Sequence, residues 1–148
     1  PAGLLVHSEE TPVGLIDPNG DTIMAMGTAH GVVKRLRPDV LQRDSWEVIS
    51  LDEGDHLVGF DMCDDSDEIA FVTSDAHLLR IDASKVRPQG RTGGGVAGIK
   101  LAADAEVIGL WVVADPSEAC VVTVGELKAH CPAPVRQPSR SAPLRSSR

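Results

Sequence analysis

Apolar residues recur along this chain in short runs broken by Gly, Pro, Asp and Ser, and no long segment sustains the 3.6-residue period of an amphipathic helix. The runs are rich in Val, Ile and Leu, which suit a pleated, half-buried surface. Residues 3–6 and 13–16 form the first two, and Asp17-Pro18-Asn19-Gly20 is a strong turn signal. From Thr22 the pattern sharpens. Residues 22–26 read as a strand, Gly27-Thr28-Ala29-His30-Gly31 as a hairpin turn and residues 32–36 as the return strand. Residues 46–51 and 56–60 read as two more strands, joined by the acidic turn Asp52-Glu53-Gly54-Asp55. Strands over 68–73, 77–81, 96–101 and 106–113 then repeat that order, so each unit is expected to form one four-stranded sheet.

The two units align residue by residue. Ile23 matches Ile69, Val33 matches Leu79 and Lys34 matches Arg80 at an offset of 46, whereas Leu51 matches Leu101 and Gly59 matches Gly109 at an offset of 50. The extra residues fall in the glycine-rich basic loop that precedes Val96, where insertion is cheap. A third copy starts at Ala119 with Cys120-Val121-Val122-Thr123-Val124 and is then lost. Four-stranded repeats of this length predict radially arranged β blades. The expected organisation is the end of a preceding blade or a linker over 1–20, blade-like repeats over 21–63 and 64–113, the start of a third over 114–124, and a disordered basic Pro/Arg/Ser-rich tail over 125–148.

Charge changes the picture more than composition does. The net charge is -8, but residues 51–75 hold nine carboxylates and no Lys or Arg, while residues 76–100 hold Arg80, Lys85, Arg87, Arg91 and Lys100 against Asp82 alone. An acidic chain with a local basic face suits a polyanion there and resists indiscriminate sticking elsewhere. Catalytic chemistry finds little footing. The histidines lie far apart, and Cys63, Cys120 and Cys131 fit neither a zinc site nor a disulfide framework, so thiols in a reducing compartment are expected. The acidic run Asp61–Glu68 lacks the glycine and the terminal Glu spacing of a calcium loop, and no Gly-Lys-Ser/Thr follows the glycine loop. Trp46 and Trp111 are expected in the core. No cofactor and no metal are expected. No apolar run approaches the roughly 20 residues of a membrane span, and a chain without a basic signal region is expected in the cytoplasm.

Phe71-Val72-Thr73-Ser74-Asp75-Ala76-His77-Leu78-Leu79-Arg80, followed by Val86-Arg87-Pro88-Gln89-Gly90-Arg91 and Gly95-Val96-Ala97-Gly98-Ile99, resembles a blade of the C-terminal domain of bacterial type IIA topoisomerase A subunits, those of DNA gyrase and topoisomerase IV. Gly27-Thr28-Ala29-His30-Gly31-Val32-Val33-Lys34-Arg35 resembles the hairpin of the blade before it. The similarity spans about residues 21–124. It implies an all-β fold, a partial, propeller-like β-pinwheel of about two complete four-stranded blades with incomplete ends.

The resemblance further implies a non-catalytic module whose basic outer rim grips and bends double-stranded DNA while other domains change its topology. The rim residues it implies are Lys34, Arg35, Arg80, Lys85, Arg87, Gln89, Arg91 and Lys100. The partners it implies are duplex DNA, the remaining A-subunit domains and the ATPase B subunit, with a cytoplasmic, nucleoid-associated location and no membrane. The parent would be an ATP-dependent type IIA topoisomerase. The family's DNA-cleaving residue is a tyrosine of a separate domain, and this sequence contains none. Where one gyrase blade carries the box Gln-Arg-Arg-Gly-Gly-Lys-Gly, this chain reads Gln89-Gly90-Arg91-Thr92-Gly93-Gly94-Gly95. Two basic positions are glycine, which speaks against full chiral wrapping and leans toward topoisomerase IV. The alternative is a protein-interaction or vestigial β domain without DNA affinity, favoured by the net charge of -12 over residues 1–124, where 9 basic residues face 21 acidic ones.

Overall fold

The computed structural model describes residues 4–8, 11–16, 23–37, 44–115, 117, 123–125 and 128–130. Its strands are β1 (Leu4–Ser8), β2 (Thr11–Ile16), β3 (Met24–Thr28), β4 (Val32–Leu36), β5 (Leu57–Met62), β6 (Glu68–Thr73), β7 (Leu78–Asp82), β8 (Val96–Ala97), β9 (Val107–Val113), β10 (Thr123–Gly125) and β11 (Lys128–His130). A 3-10 turn at Ala83–Lys85 is the only helical element among the described residues. The architecture is all-β, in small antiparallel sheets: β1-β2, β5-β3-β4-β8, β7-β6-β9 and β10-β11.

β3 and β4 sit in the middle of the stack and are buried on both faces. Met24, Met26 and Leu36 point to one side, where Val6 of β1, Val13 of β2, Ile49 and Leu57 complete a core. Ala25 and Val33 point to the other side, into a core shared with Ile69 and Phe71 of β6 and Val107, Leu110 and Val112 of β9. Both faces are covered, so the in-out alternation of a one-sided sheet is absent: the whole of β3 is buried. Leu110 of the β7-β6-β9 sheet lies against the cross-strand pair Gly27–Gly59 of the β5-β3-β4-β8 sheet. A Cβ at Gly59 would stand 2.8 Å from the Leu110 carbonyl oxygen, backbone that cannot swing aside. Gly59→Ala is therefore expected to push the two sheets apart at a cost of about 1–2 kcal/mol, read as a lower midpoint in urea with an unchanged slope.

The structure corrects the expected strand membership. Residues 46–51 form no strand, and of 96–101 only Val96–Ala97 does. That short strand joins the sheet of the preceding repeat, pairing Val96 with Val33 and Ala97 with Val32. The two units are interleaved, and the glycine-rich loop closes the outer edge of β4. The physical reason is the hairpin itself: β4 leaves one row of backbone groups unpaired, and the nearest extended segment able to satisfy it comes from the next repeat. The expected third copy falls mostly outside the described residues; strand β10, which starts at Thr123, takes up its last two positions. Strand β11 lies within the stretch expected to be a disordered tail, and pairs Lys128 with Gly125.

Candidate nucleic-acid interface

Segment 85–101 runs along the outer edge of the β5-β3-β4-β8 sheet. Leu36 bridges Gln89 in parallel, Gly95 lies beside Val32–Lys34, and the Gly98 amide donates to the Gly31 carbonyl at 2.8 Å. The edge from Leu36 to Gly31 covers roughly 16 Å at the usual strand rise.

Two basic residues of the expected rim are not on it. Lys34 and Arg35 are among the largest fully buried side chains of the described residues, at 0% and 1% exposure. Lys34 Nζ donates to the carbonyl oxygens of Val48 (2.7 Å), Arg91 (2.7 Å) and Gly93 (2.6 Å). Burial pushes its ammonium below the ordinary lysine range, and the Glu47 charge opposes that shift. All three ammonium protons are taken by carbonyls, so none is left for a phosphate. Arg35 Nη1 donates to Ala83 O (2.8 Å) and Val86 O (3.2 Å), and Nη2 to Asp65 Oδ1 (2.6 Å). Gln89 also turns inward: its Oε1 accepts from the Gly95 amide at 3.0 Å and its Nε2 donates to the Gly95 carbonyl. These three residues are corrections to the expected rim. They fasten the edge segment to the sheet because a strand pressed between two cores has no solvent face to offer a charge, and loop carbonyls at its rim supply the acceptors.

Two more expected residues are exposed but already paired. Arg80 Nε lies 2.6 Å from Glu68 Oε2, and Lys85 Nζ lies 2.7 Å from Asp82 Oδ2. Arg87 and Lys100 are exposed and Arg91 is half-exposed, and none of the three forms an ion pair with a described residue. Arg37 is a further exposed cation that sequence reasoning left out of the rim. It follows Leu36, whose bridge to Gln89 places it next to Gly90. Its signal was the run Lys34-Arg35-Leu36-Arg37, in which the last residue emerges from the buried strand.

Glycine is required at one end of the loop and not at the other. Gly95 has φ +87, and a Cβ there would stand 2.7 Å from both Val33 O and Val32 Cγ1; around Gly90 a Cβ meets nothing. Gly95→Ala is expected to cost about 1–2 kcal/mol of stability, and Gly90→Ala to leave the thermal midpoint unchanged.

No group of three or more His, Cys, Asp or Glu side chains suited to a metal occurs among the described residues, and no helix there is long and apolar enough to cross a membrane. Cys63 is buried, and its thiol donates to the Asp64 carbonyl oxygen at 3.6 Å.

Residues 67–113 match the family model of the DNA gyrase C-terminal domain, beta-propeller. The A subunit of DNA gyrase from Klebsiella oxytoca is 37% identical over 90 residues, and that of Salmonella typhimurium is 34% identical over 102 residues, or 67% of this chain. The chain spans 10% and 11% of those two proteins. Among solved structures, the C-terminal domain of DNA topoisomerase IV superposes with a TM-score of 0.67 at 22% identity, over 75% of this chain and 36% of that one. The E. coli ParC C-terminal domain superposes at 0.65 with 19% identity, over 82% of this chain and 52% of that one. The interleaved β sheets, the matched repeat and these sequence relatives together place the chain in one family: it carries blades of the C-terminal β-propeller domain of type IIA topoisomerase A subunits.

Proposed function

We propose that this chain is a non-catalytic DNA-holding module that grips the backbone of duplex DNA along the outer edge of the β5-β3-β4-β8 sheet. The observation that carries the reading is the line of Arg37, Arg87, Arg91 and Lys100, which form no ion pair with a described residue, along an edge built from glycine-rich backbone. That edge is long enough to lie against about five phosphates of one strand of B-form DNA. Phosphate contacts position a protein without reading sequence, and no recognition helix is available among the described residues to enter the major groove. Binding would be driven by counterion release. The proposed setting is the cytoplasm, within a topoisomerase whose other A-subunit domains and ATPase B subunit cut, pass and reseal the DNA. Domain boundaries near residues 21, 64 and 114 remain part of this proposal, with β8 crossing between neighbouring units.

Fluorescence anisotropy with a short labelled duplex tests the reading, on protein shown folded by circular dichroism. The expected result is sequence-independent binding whose logarithm falls with log salt at a slope of about -3, as three to four phosphate contacts require. A folded sample that binds no duplex at low salt overturns it. The protein-interaction reading, which the -12 charge of residues 1–124 favours, then leads.

A further inference from the structure

The loop that carries Arg91 also presents backbone amides to its surface. The carbonyls of Arg91 and Gly93 both point at Lys34 Nζ. The peptide bonds of the described residues are all trans, and in a trans peptide the N–H points opposite to the carbonyl. The amides of Thr92 and Gly94, which share those two peptide planes, are therefore turned away from the buried ammonium. Both residues are exposed, and neither amide donates to a described protein group. The alternate amides are already used: Gly93 donates to Gly90 O at 3.2 Å and Gly95 to Gln89 Oε1. Packing does not demand glycine at 94, because a Cβ there would meet only Ser50 O at an ordinary 3.6 Å. What the missing side chain leaves open is approach to the amide itself.

We propose that the Thr92 and Gly94 amides form a phosphodiester-binding site, and that Lys34 is its positioning residue, holding both peptides with their N–H groups outward without itself touching DNA. The proposal rests on the duplex-backbone reading above. The buried ammonium gathers carbonyl oxygens on one side of the loop, so the positive ends of the same peptide dipoles face the other side, toward an anion. Arg91, between Gly90 and Thr92, adds the mobile charge beside this fixed one.

Backbone esters test the site. In the full chain, Thr92 or Gly94 is replaced by its α-hydroxy acid counterpart, which exchanges one N–H for oxygen and keeps the shape. Binding to the labelled duplex is then measured across salt concentrations. Each ester is expected to weaken binding about tenfold, as loss of a hydrogen bond to a charged group does, with the salt slope unchanged because a neutral donor releases no counterion. Lys34→Met is expected to lower affinity, keep the slope and speed hydrogen exchange at the Gly95 amide. Esters that bind as tightly as the parent chain overturn the site while the DNA reading stands. A slope reduced by Lys34→Met overturns the positioning role, since it means that the lysine contacts phosphate. A folded parent that does not bind at all overturns the DNA reading and this site with it.

Discussion

Asp65→Ala is expected to destabilise the fold by about 2–3 kcal/mol, although the Asp65 side chain is 75% exposed. Surface carboxylates removed elsewhere usually change stability by no more than about 0.5 kcal/mol. The difference lies in the partner. Arg35 is 1% exposed, and Asp65 Oδ1, 2.6 Å from Nη2, is its only ion-pair partner among the described residues. The guanidinium is already short of one acceptor, because its buried Nε has no hydrogen-bond partner among the described residues. Taking away Asp65 leaves a buried cation held by the Ala83 and Val86 carbonyls alone, and an uncompensated buried charge is what makes a broken pair expensive. The open position of Asp65 keeps the figure below that of a fully interior pair, since water screens its side of the bond. Thermal unfolding should show a drop of roughly 10 °C. Arg35→Met combined with Asp65→Ala should cost clearly less than the sum of the two single changes, because the double variant has no stranded charge. A midpoint for Asp65→Ala equal to the parent's would show that the pair carries no such energy.

This residue pair marks where sequence reasoning ran out. Strand positions were legible where one hairpin made the whole pattern: residues 68–73 are β6, and β4 is residues 32–36. They failed where a segment pairs outside its own repeat. Residues 46–51 and 96–101 share apolar residues at their first, fourth and sixth positions, yet one is irregular and the other contributes two residues to a neighbouring sheet. Nothing in a short Val-rich run names the edge it will close.

The rim suffered from the same locality. Lys34 and Arg80 are equivalent in the repeat, and both read as basic residues on a hairpin strand. Lys34 is buried because segment 89–95 folds over it and offers two carbonyls, with a third from Val48. Arg80 is exposed because no described segment covers the outer edge of β7 in that way. Basic residues on a strand pressed between two cores are structural by default, and the sequence marks the strand as basic without marking the covering segment. The glycine loop itself was legible, since its composition alone signals close backbone approach; that its amides alternate between used and open was not.

Substituting Arg87, Arg91 and Lys100 together with Ala is expected to weaken duplex binding on the order of 100-fold at moderate salt, at about 1 kcal/mol or more for each charge-assisted contact. The slope of log affinity against log salt should flatten by about 2.7, because each lost phosphate contact removes about 0.9. The matched control is Arg80→Ala with Lys85→Ala. It removes two positive charges from the same stretch of sequence, but both are engaged by Glu68 and Asp82. A phosphate recruiting Arg80 must first compete with a carboxylate at hydrogen-bond distance, so this double variant should lose only about threefold and flatten the slope by less than one. The contrast between the two variants is decisive, since general electrostatic attraction to a basic region would scale with charge and make the double change about two-thirds as severe as the triple on a logarithmic scale. Equal losses per charge would therefore spread the grip over the β6–β7 face as well. A large loss confined to the triple variant puts it on the glycine-rich edge, where the cations have no ion-pair partner among the described residues.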